Sequence, residues 1–227
     1  YPSLQKSVQE LIKNKLTTVQ RLDLYNDYIC NGYTLKGVLK ADMENIRATM
    51  EKINYSTFED VINNIFEAKR IYIVGLRSSM ALAEFLGFYL NVILQNVKTV
   101  GYGISDIFEE MINVGEGDLV IGIGFPRYAN RTIDVLSFAQ DRGATVVALT
   151  DSIVSPLAQR ADYALIAQSN MASFVDSLVA PLSVINALII AVGLRQKESV
   201  STTFNSLEEI WKEYNVYSYN HNNDDEF

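Results

Sequence analysis

A chain of 227 residues, 48% hydrophobic and 20% charged, can bury a core of its own, as one domain of about 150 residues with extensions. Its formal net charge of −8 argues against nucleic-acid binding by the body of that domain, since phosphate contacts need clustered Lys and Arg. Its most apolar run, Leu178–Leu194, is short for a membrane span and is interrupted by Pro181, Ser183 and Asn186, so it is expected as a buried or dimer-facing helix with no membrane partner.

The start of the chain has a different character. Residues 1–22 carry Lys6, Lys13, Lys15 and Arg21 against Glu10 alone, which marks a separate module. Leu4, Val8, Leu11, Ile12 and Leu16 recur at helical spacing, and a second helix is expected around Val19–Tyr28. No signal peptide is expected at the polar, amphipathic start of the chain, and without an initiator Met the chain is expected to be a piece of a longer one. Cys30 is the only cysteine, which excludes an intramolecular disulfide and fits a reducing compartment, the cytoplasm.

Asn31-Gly32 breaks the helical pattern, and a longer helix is expected from Thr34 to Asn54. It places Leu39, Met43, Ile46, Met50 and Ile53 at alternating spacings of four and three, a seam of two heptads. Such a seam either pairs with a second chain or packs on its own domain. Ser56-Thr57-Phe58-Glu59 has the form of a capping box and is expected to start a helix that runs to about Ala68.

From there the pattern changes. Arg70–Val74, Val97–Val100, Asp118–Ile123, Thr145–Thr150 and Tyr163–Ile166 are short apolar runs, most with little polar alternation, as expected of strands buried on both faces of a parallel sheet. Helices are expected at Ser79–Leu94, Ile107–Asn113, Thr132–Arg142, from Pro156, and from Ala172 to Arg195. The fold class is therefore α/β, a doubly wound three-layer αβα domain with a five-stranded parallel sheet and additional N-terminal helices. A last helix, Leu207–Tyr214, follows a polar joint at Ser199–Thr203, and the acidic tail Tyr219–Phe227 is expected to be mobile.

Two loops carry the chemistry. Gly75-Leu76-Arg77-Ser78-Ser79 follows the first strand, and Gly124-Phe125-Pro126-Arg127-Tyr128-Ala129-Asn130-Arg131-Thr132 follows the third; each opens a helix. A helix start offers unpaired N–H groups and the positive end of the dipole to an anion. Ser78, Ser79 and Thr132 add hydroxyl donors, while Arg77, Arg127 and Arg131 add guanidinium forks suited to phosphate or carboxylate. If the strand order is 2-1-3-4-5, both loops meet where the order reverses, the usual ligand crevice of such sheets. The arginines have a duller alternative, for Arg77 or Arg127 could pair with Asp106 or Glu109 instead.

Several rivals lack their residues. The G-x-G-x-x-G spacing of a dinucleotide site and the Gly-Lys-Ser/Thr of a P-loop are both missing. One histidine, His221, and one cysteine give no basis for a metal site, and no cofactor is expected. Glu84, Asp106, Glu109, Asp151 and Asp176 are the carboxylates available for acid–base work, each with a structural role as its plainer explanation; Asp106 precedes a helix and can cap it, and Glu84 can face an arginine.

The chain resembles the sugar-isomerase (SIS) domain, and specifically the effector domain of RpiR-type bacterial transcriptional regulators, over most of its length from about Ser56 to Arg195. The resemblance lies in Ile71-Tyr72-Ile73-Val74-Gly75 with Ser78-Ser79, in Gly117-Asp118-Leu119-Val120-Ile121, in Arg142-Gly143-Ala144-Thr145 through Thr150-Asp151, and in Ser155-Pro156-Leu157-Ala158 before Ala161-Asp162. It implies phosphate-binding roles for Ser78, Ser79 and Thr132. The run 125–132 is longer and more basic than the family's usual Ser-x-Ser-Gly-x-Thr. The resemblance further implies that residues 1–54 are the end of a helix-turn-helix domain plus linker or dimer helices, with the DNA-reading helices upstream. Residues 55–198 are then the effector domain and 199–227 a terminal helix and tail. The expected function is sensing of a phosphorylated sugar or similar anionic metabolite, with no catalytic residue, by a dimer or tetramer that contacts DNA through the missing domain. An aldose–ketose phosphosugar isomerase and a ligand-free dimerisation module are the alternatives.

Overall fold

In a computed structural model, residues 17, 19, 20, 34–101, 103, 106–171 and 175–218 are described. The expected helices at 4–16 and Val19–Tyr28, Cys30, His221 and the tail 219–227 lie outside these residues, apart from Val19 and Gln20, which are helical.

Five strands, β1 (Ile71–Gly75), β2 (Val97–Val100), β3 (Leu119–Ile123), β4 (Thr145–Thr150) and β5 (Tyr163–Ile166), form one sheet in the order β2-β1-β3-β4-β5. Every pairing is parallel, with Ile73 opposite Thr99 and Ile121 and Gly122 opposite Ala148. All residues of β1 and β3 are buried, because helices cover both faces. Alternate strand residues divide between two cores. Ile71, Ile73, Ile121 and Leu149 pack with helices α2 (Tyr55–Glu67), α3 (Met80–Leu94) and α6 (Val179–Arg195). Tyr72, Val74, Val120 and Ala148 pack with α4 (Ile107–Glu110) and α5 (Asn130–Asp141).

The helix ends differ from expectation in physically instructive ways. Helix α1 spans Thr34–Lys52, and α2 starts at Tyr55 with Asn54 as its cap: the Asn54 side chain accepts from Thr57 N–H at 3.2 Å. Ser56 is therefore inside the helix, not its cap. Asn54→Ala should cost about 1 kcal/mol in chemical unfolding and Ser56→Ala less than roughly half of that; equal losses would return the cap to Ser56. The capping box stands instead at α4, where Asp106 accepts from Phe108 N–H and Glu109 accepts from Asp106 N–H.

Helix α6 begins at Val179 rather than 172, and residues 175–178 are not helical. Pro181 is its third residue, and a proline deeper in a helix would clash with the preceding turn. The segment expected as a helix from Pro156 is only a 3-10 turn at Ala158–Arg160. The joint expected at Ser199–Thr203 is helical too. Helix α7 (Lys197–Glu213) takes Ser201 and Thr202 inside, their hydroxyls donating to Lys197 and Glu198 carbonyls, and the break falls at Gln196. Among the described residues no single helix is long and apolar enough to cross a membrane, and α6 and the stretch Val200–Glu213, which together would be, are bent by 107°.

Candidate ligand-binding site

The loops after β1 and β3 face each other at the carboxyl ends of the two strands between which the order reverses. Between them lies an open cleft of about 290 Å³. Arg77, Ser78, Ser79, Arg127 and Thr132 line it, so five of the eight residues singled out in the sequence come together. Gly75, Tyr128 and Arg131 do not line it.

Two helix starts open on the cleft. A 3-10 turn, Arg77–Ser79, leads directly into α3, and neither it nor α5 has a side-chain cap, in contrast to α2 and α4. First-turn N–H groups at both places lack the side-chain acceptor that usually satisfies them, which suits a bound anion. Ser79 and Thr132 are buried at the floor, while Arg77, Ser78 and Arg127 are exposed at the rim.

Arg77 and Arg127 have φ of 58° and 66°. Among the described residues only Gln95 and Asn215 share this left-handed conformation without being glycine. Gln95 is at a helix end, where that conformation is common, but an arginine in a loop bears a cost of about 1 kcal/mol or more there. Glycine would be easier at both positions. Arg77 forms no ion pair among the described residues, and Asp106 pairs with Arg131, whose guanidinium lies 2.9 Å from the Asp106 carboxylate and 5.3 Å from the Phe108 ring centroid. Glu84 is exposed and, among the described residues, forms no ion pair with an arginine.

Tyr128 points away from the cleft and donates to Asp151 Oδ1 at 2.6 Å, fastening the second loop to the end of β4. Burial, and then the Asp151 carboxylate that accepts from it, push the hydroxyl well above the ordinary tyrosine range, so it remains a donor at any physiological pH. Gly75 makes room: a Cβ there would stand 2.6 Å from the Ser79 carbonyl oxygen and 3.0 Å from Ala83 Cβ. Among the described residues there is no cluster of His, Cys, Asp and Glu that could hold a metal.

The third wall was missed by the sequence reading. Val175, Asp176 and Leu178 close the cleft from the segment before α6, where the sequence predicts helix; Pro181 is the signal that the helix starts later. Of the five candidate carboxylates only Asp176 lines the cleft. The same segment is tied to α1. Ser177 donates to Asp42 at 2.6 Å, and Asn45 exchanges two hydrogen bonds with the Asn170 backbone at 2.8 and 3.1 Å. Gln168 N–H donates to Thr49 Oγ1 at 2.8 Å, and Lys52 donates to the Gln168 side chain at 3.3 Å. Asp42, Asn45, Thr49 and Lys52 stand on one face of α1, so the helix is held through its polar side by Gln168 and Asn170 and, at Ser177, by the segment that walls the cleft.

Residues 64–191 match the SIS domain family. Among solved structures, the sugar isomerase domain of an RpiR transcription factor from Sphaerobacter thermophilus is 30% identical, with a TM-score of 0.73, and the match covers 76% of this chain and 96% of that one. The NanR protein of Vibrio vulnificus, solved in complex with ManNAc-6P, shares the fold at 18% identity and a TM-score of 0.67, over 85% of this chain and 74% of that one. A Haemophilus influenzae protein named as an HTH-type transcriptional regulator is 30% identical over 118 residues, which is 52% of this chain. The chain spans 41% of that relative's length.

Proposed function

Because this chain belongs to the SIS domain family, we propose that it is the ligand-sensing domain of a DNA-binding transcriptional regulator. Its effector is a phosphorylated sugar or a similar small anionic metabolite, held between the loops after β1 and β3. The observation that carries this reading is the convergence of two uncapped helix starts and two left-handed arginines on one cleft. Regulators named among its relatives, and the phosphosugar held by the NanR protein, support it.

In this reading Ser78, Ser79 and Thr132 donate to the phosphate, and Arg77 and Arg127 neutralise it from the rim. Gly75 admits the turn that presents the serines, while Tyr128 and Arg131 hold the second loop in place. Residues 55–198 form the sensing domain, and 1–54 link it to DNA-reading helices outside this chain. The working molecule is a cytoplasmic homo-oligomer. Ligand in the cleft bears on the wall at 175–178 and so on α1, which the Ser177–Asp42 hydrogen bond joins to that wall. An effector then acts through its different affinity for two placements of α1.

Asp176 in the cleft favours a second reading, a phosphosugar isomerase that uses this carboxylate as base. Thermal unfolding against a panel of sugar phosphates, their unphosphorylated parents and inorganic phosphate tests both. A true effector at a hundredfold excess over its dissociation constant adds about 2.7 kcal/mol, enough to raise the melting temperature by several degrees. Its parent should have no effect. A flat panel would remove the sensing reading, and conversion of the stabilising compound on prolonged incubation would favour the isomerase.

A further inference from the structure

Among the described residues Asp176 is the one acidic group that lines the cleft, and it stands in a site otherwise built to attract negative charge. Its neighbours hold it there. Ser177 donates to Asp42 at 2.6 Å, and Leu178 packs against the core that α6 shares with β1 and β3. Asp176 itself is half-buried, so solvent and salt screen its charge less than that of a surface acid. On the two loops Ser79 and Thr132 are 5% and 1% exposed, and neither hydroxyl forms a hydrogen bond among the described residues. Buried hydroxyls without a partner, lining a cleft, are set to meet a ligand.

The charges around the cleft decide how much anion it can hold. Arg77 and Arg127 each bring a positive charge, and the starts of α3 and α5 add about half a charge apiece. Asp176 takes one away, which leaves a surplus of about two. Beside the cleft Arg131 and Asp106 cancel each other, and Asp151 accepts from Tyr128. A phosphate monoester carries about −1.5 to −2 at neutral pH, so one such group uses the surplus up. The remaining side chains of the lining, Leu76, Ile123, Phe125 and Leu178 among them, are apolar and give a second anion no donor.

Resting on the reading that the cleft senses a phosphosugar, we propose that Asp176 sets the charge of the effector. The cleft takes a sugar monophosphate whose other groups are uncharged or cationic, and it turns away one with a second anion, a bisphosphate or a phosphorylated sugar acid. Discrimination works by repulsion. A second phosphate or a carboxylate in the cleft meets the like charge of Asp176 with no cation left to balance it. A hydroxyl or ammonium group donates to that carboxylate instead.

Titration calorimetry on the full chain with matched pairs tests this: glucose-6-phosphate against 6-phosphogluconate, and fructose-6-phosphate against fructose-1,6-bisphosphate. In a pair that binds, the monophosphate should bind at least about tenfold more tightly, a difference of about 1.4 kcal/mol. Asp176→Asn keeps the size of the side chain and removes its charge, and should reduce that preference to roughly threefold or less. Should the variant not fold, the same comparison on the unmodified chain in about 1 M salt decides, because the screening length there is only about 3 Å and the preference should fall toward parity. An unmodified chain that takes the doubly anionic compound as tightly as its partner overturns the proposal. So does a preference that Asp176→Asn leaves in place, as when bulk alone excludes the second group or Asp176 serves only as a base. Binding by no compound of either kind, with inorganic phosphate also inert, removes the sensing reading itself and the charge rule with it.

Discussion

Replacing Arg127 with alanine is expected to weaken phosphosugar binding by roughly 10- to 150-fold, about 1.5–3 kcal/mol, while leaving the fold in place. The size follows from the loss of a charged hydrogen bond to the ligand. Alanine remains tolerable because the loop is also held by the Tyr128–Asp151 bond and by Gly124 N–H donating to the Leu149 carbonyl at 3.1 Å. The strained φ of 66° at this position sharpens the test. Arg127→Gly should stabilise the unliganded chain relative to alanine, since glycine adopts that backbone without steric cost, yet bind no better. Titration calorimetry with the stabilising phosphosugar measures the first effect, and chemical unfolding the second. Unchanged affinity in Arg127→Ala would take this side chain out of the site.

Gly75→Ala is expected to damage stability and binding together. The added carbon would meet the backbone oxygen of Ser79 at 2.6 Å, and a backbone atom cannot swing aside as a side chain does. Either β1 or the Arg77–Ser79 turn must move, at a cost of about 1–3 kcal/mol. That turn presents Ser78 and Ser79, so binding should fall by more than about tenfold even where the chain remains folded, because donors displaced by a fraction of an ångström lose their geometry. Gly101→Ala is the matched control. Its added carbon would meet only Met80 Cε, at 3.2 Å, the flexible end of a side chain. Loss of stability without loss of affinity in Gly75→Ala would mean that the serines do not hold the ligand.

Legibility of the fold followed burial. Strands such as Ile71–Gly75 and Leu119–Ile123 are apolar throughout because both faces are covered, and such runs stand out against amphipathic helices. Helix starts were less legible. Asn54 and Ser56 are both good caps by type, and only the backbone at 54, extended at φ −89° and ψ 113°, decides between them. At the site, the two loops were recognisable by arginines and hydroxyls next to helix starts. Arg131 had the same composition in its favour, but one helical turn aims it at Asp106 and Phe108 instead of the cleft. Asp176 was one carboxylate among several, with nothing local to set it apart from Glu84 or Glu109.

The sequence by itself determined the kind of domain, the number of its strands with their limits to within a residue, and the two loops that line the cleft. These properties reside in short-range patterns: the period of apolar residues, and charged or hydroxylic groups beside strand ends. Tertiary structure decided what depends on residues far apart in the chain. It brought the segment before α6 to the cleft that opens between β1 and β3, more than 50 positions earlier. It also turned α1 so that Asn45 meets Asn170, 125 positions away, leaving the heptad seam on the outside. A seam of leucine, isoleucine and methionine tells that a face seeks cover; which face finds cover within the chain depends on what the rest of the fold offers, and here it offered polar partners.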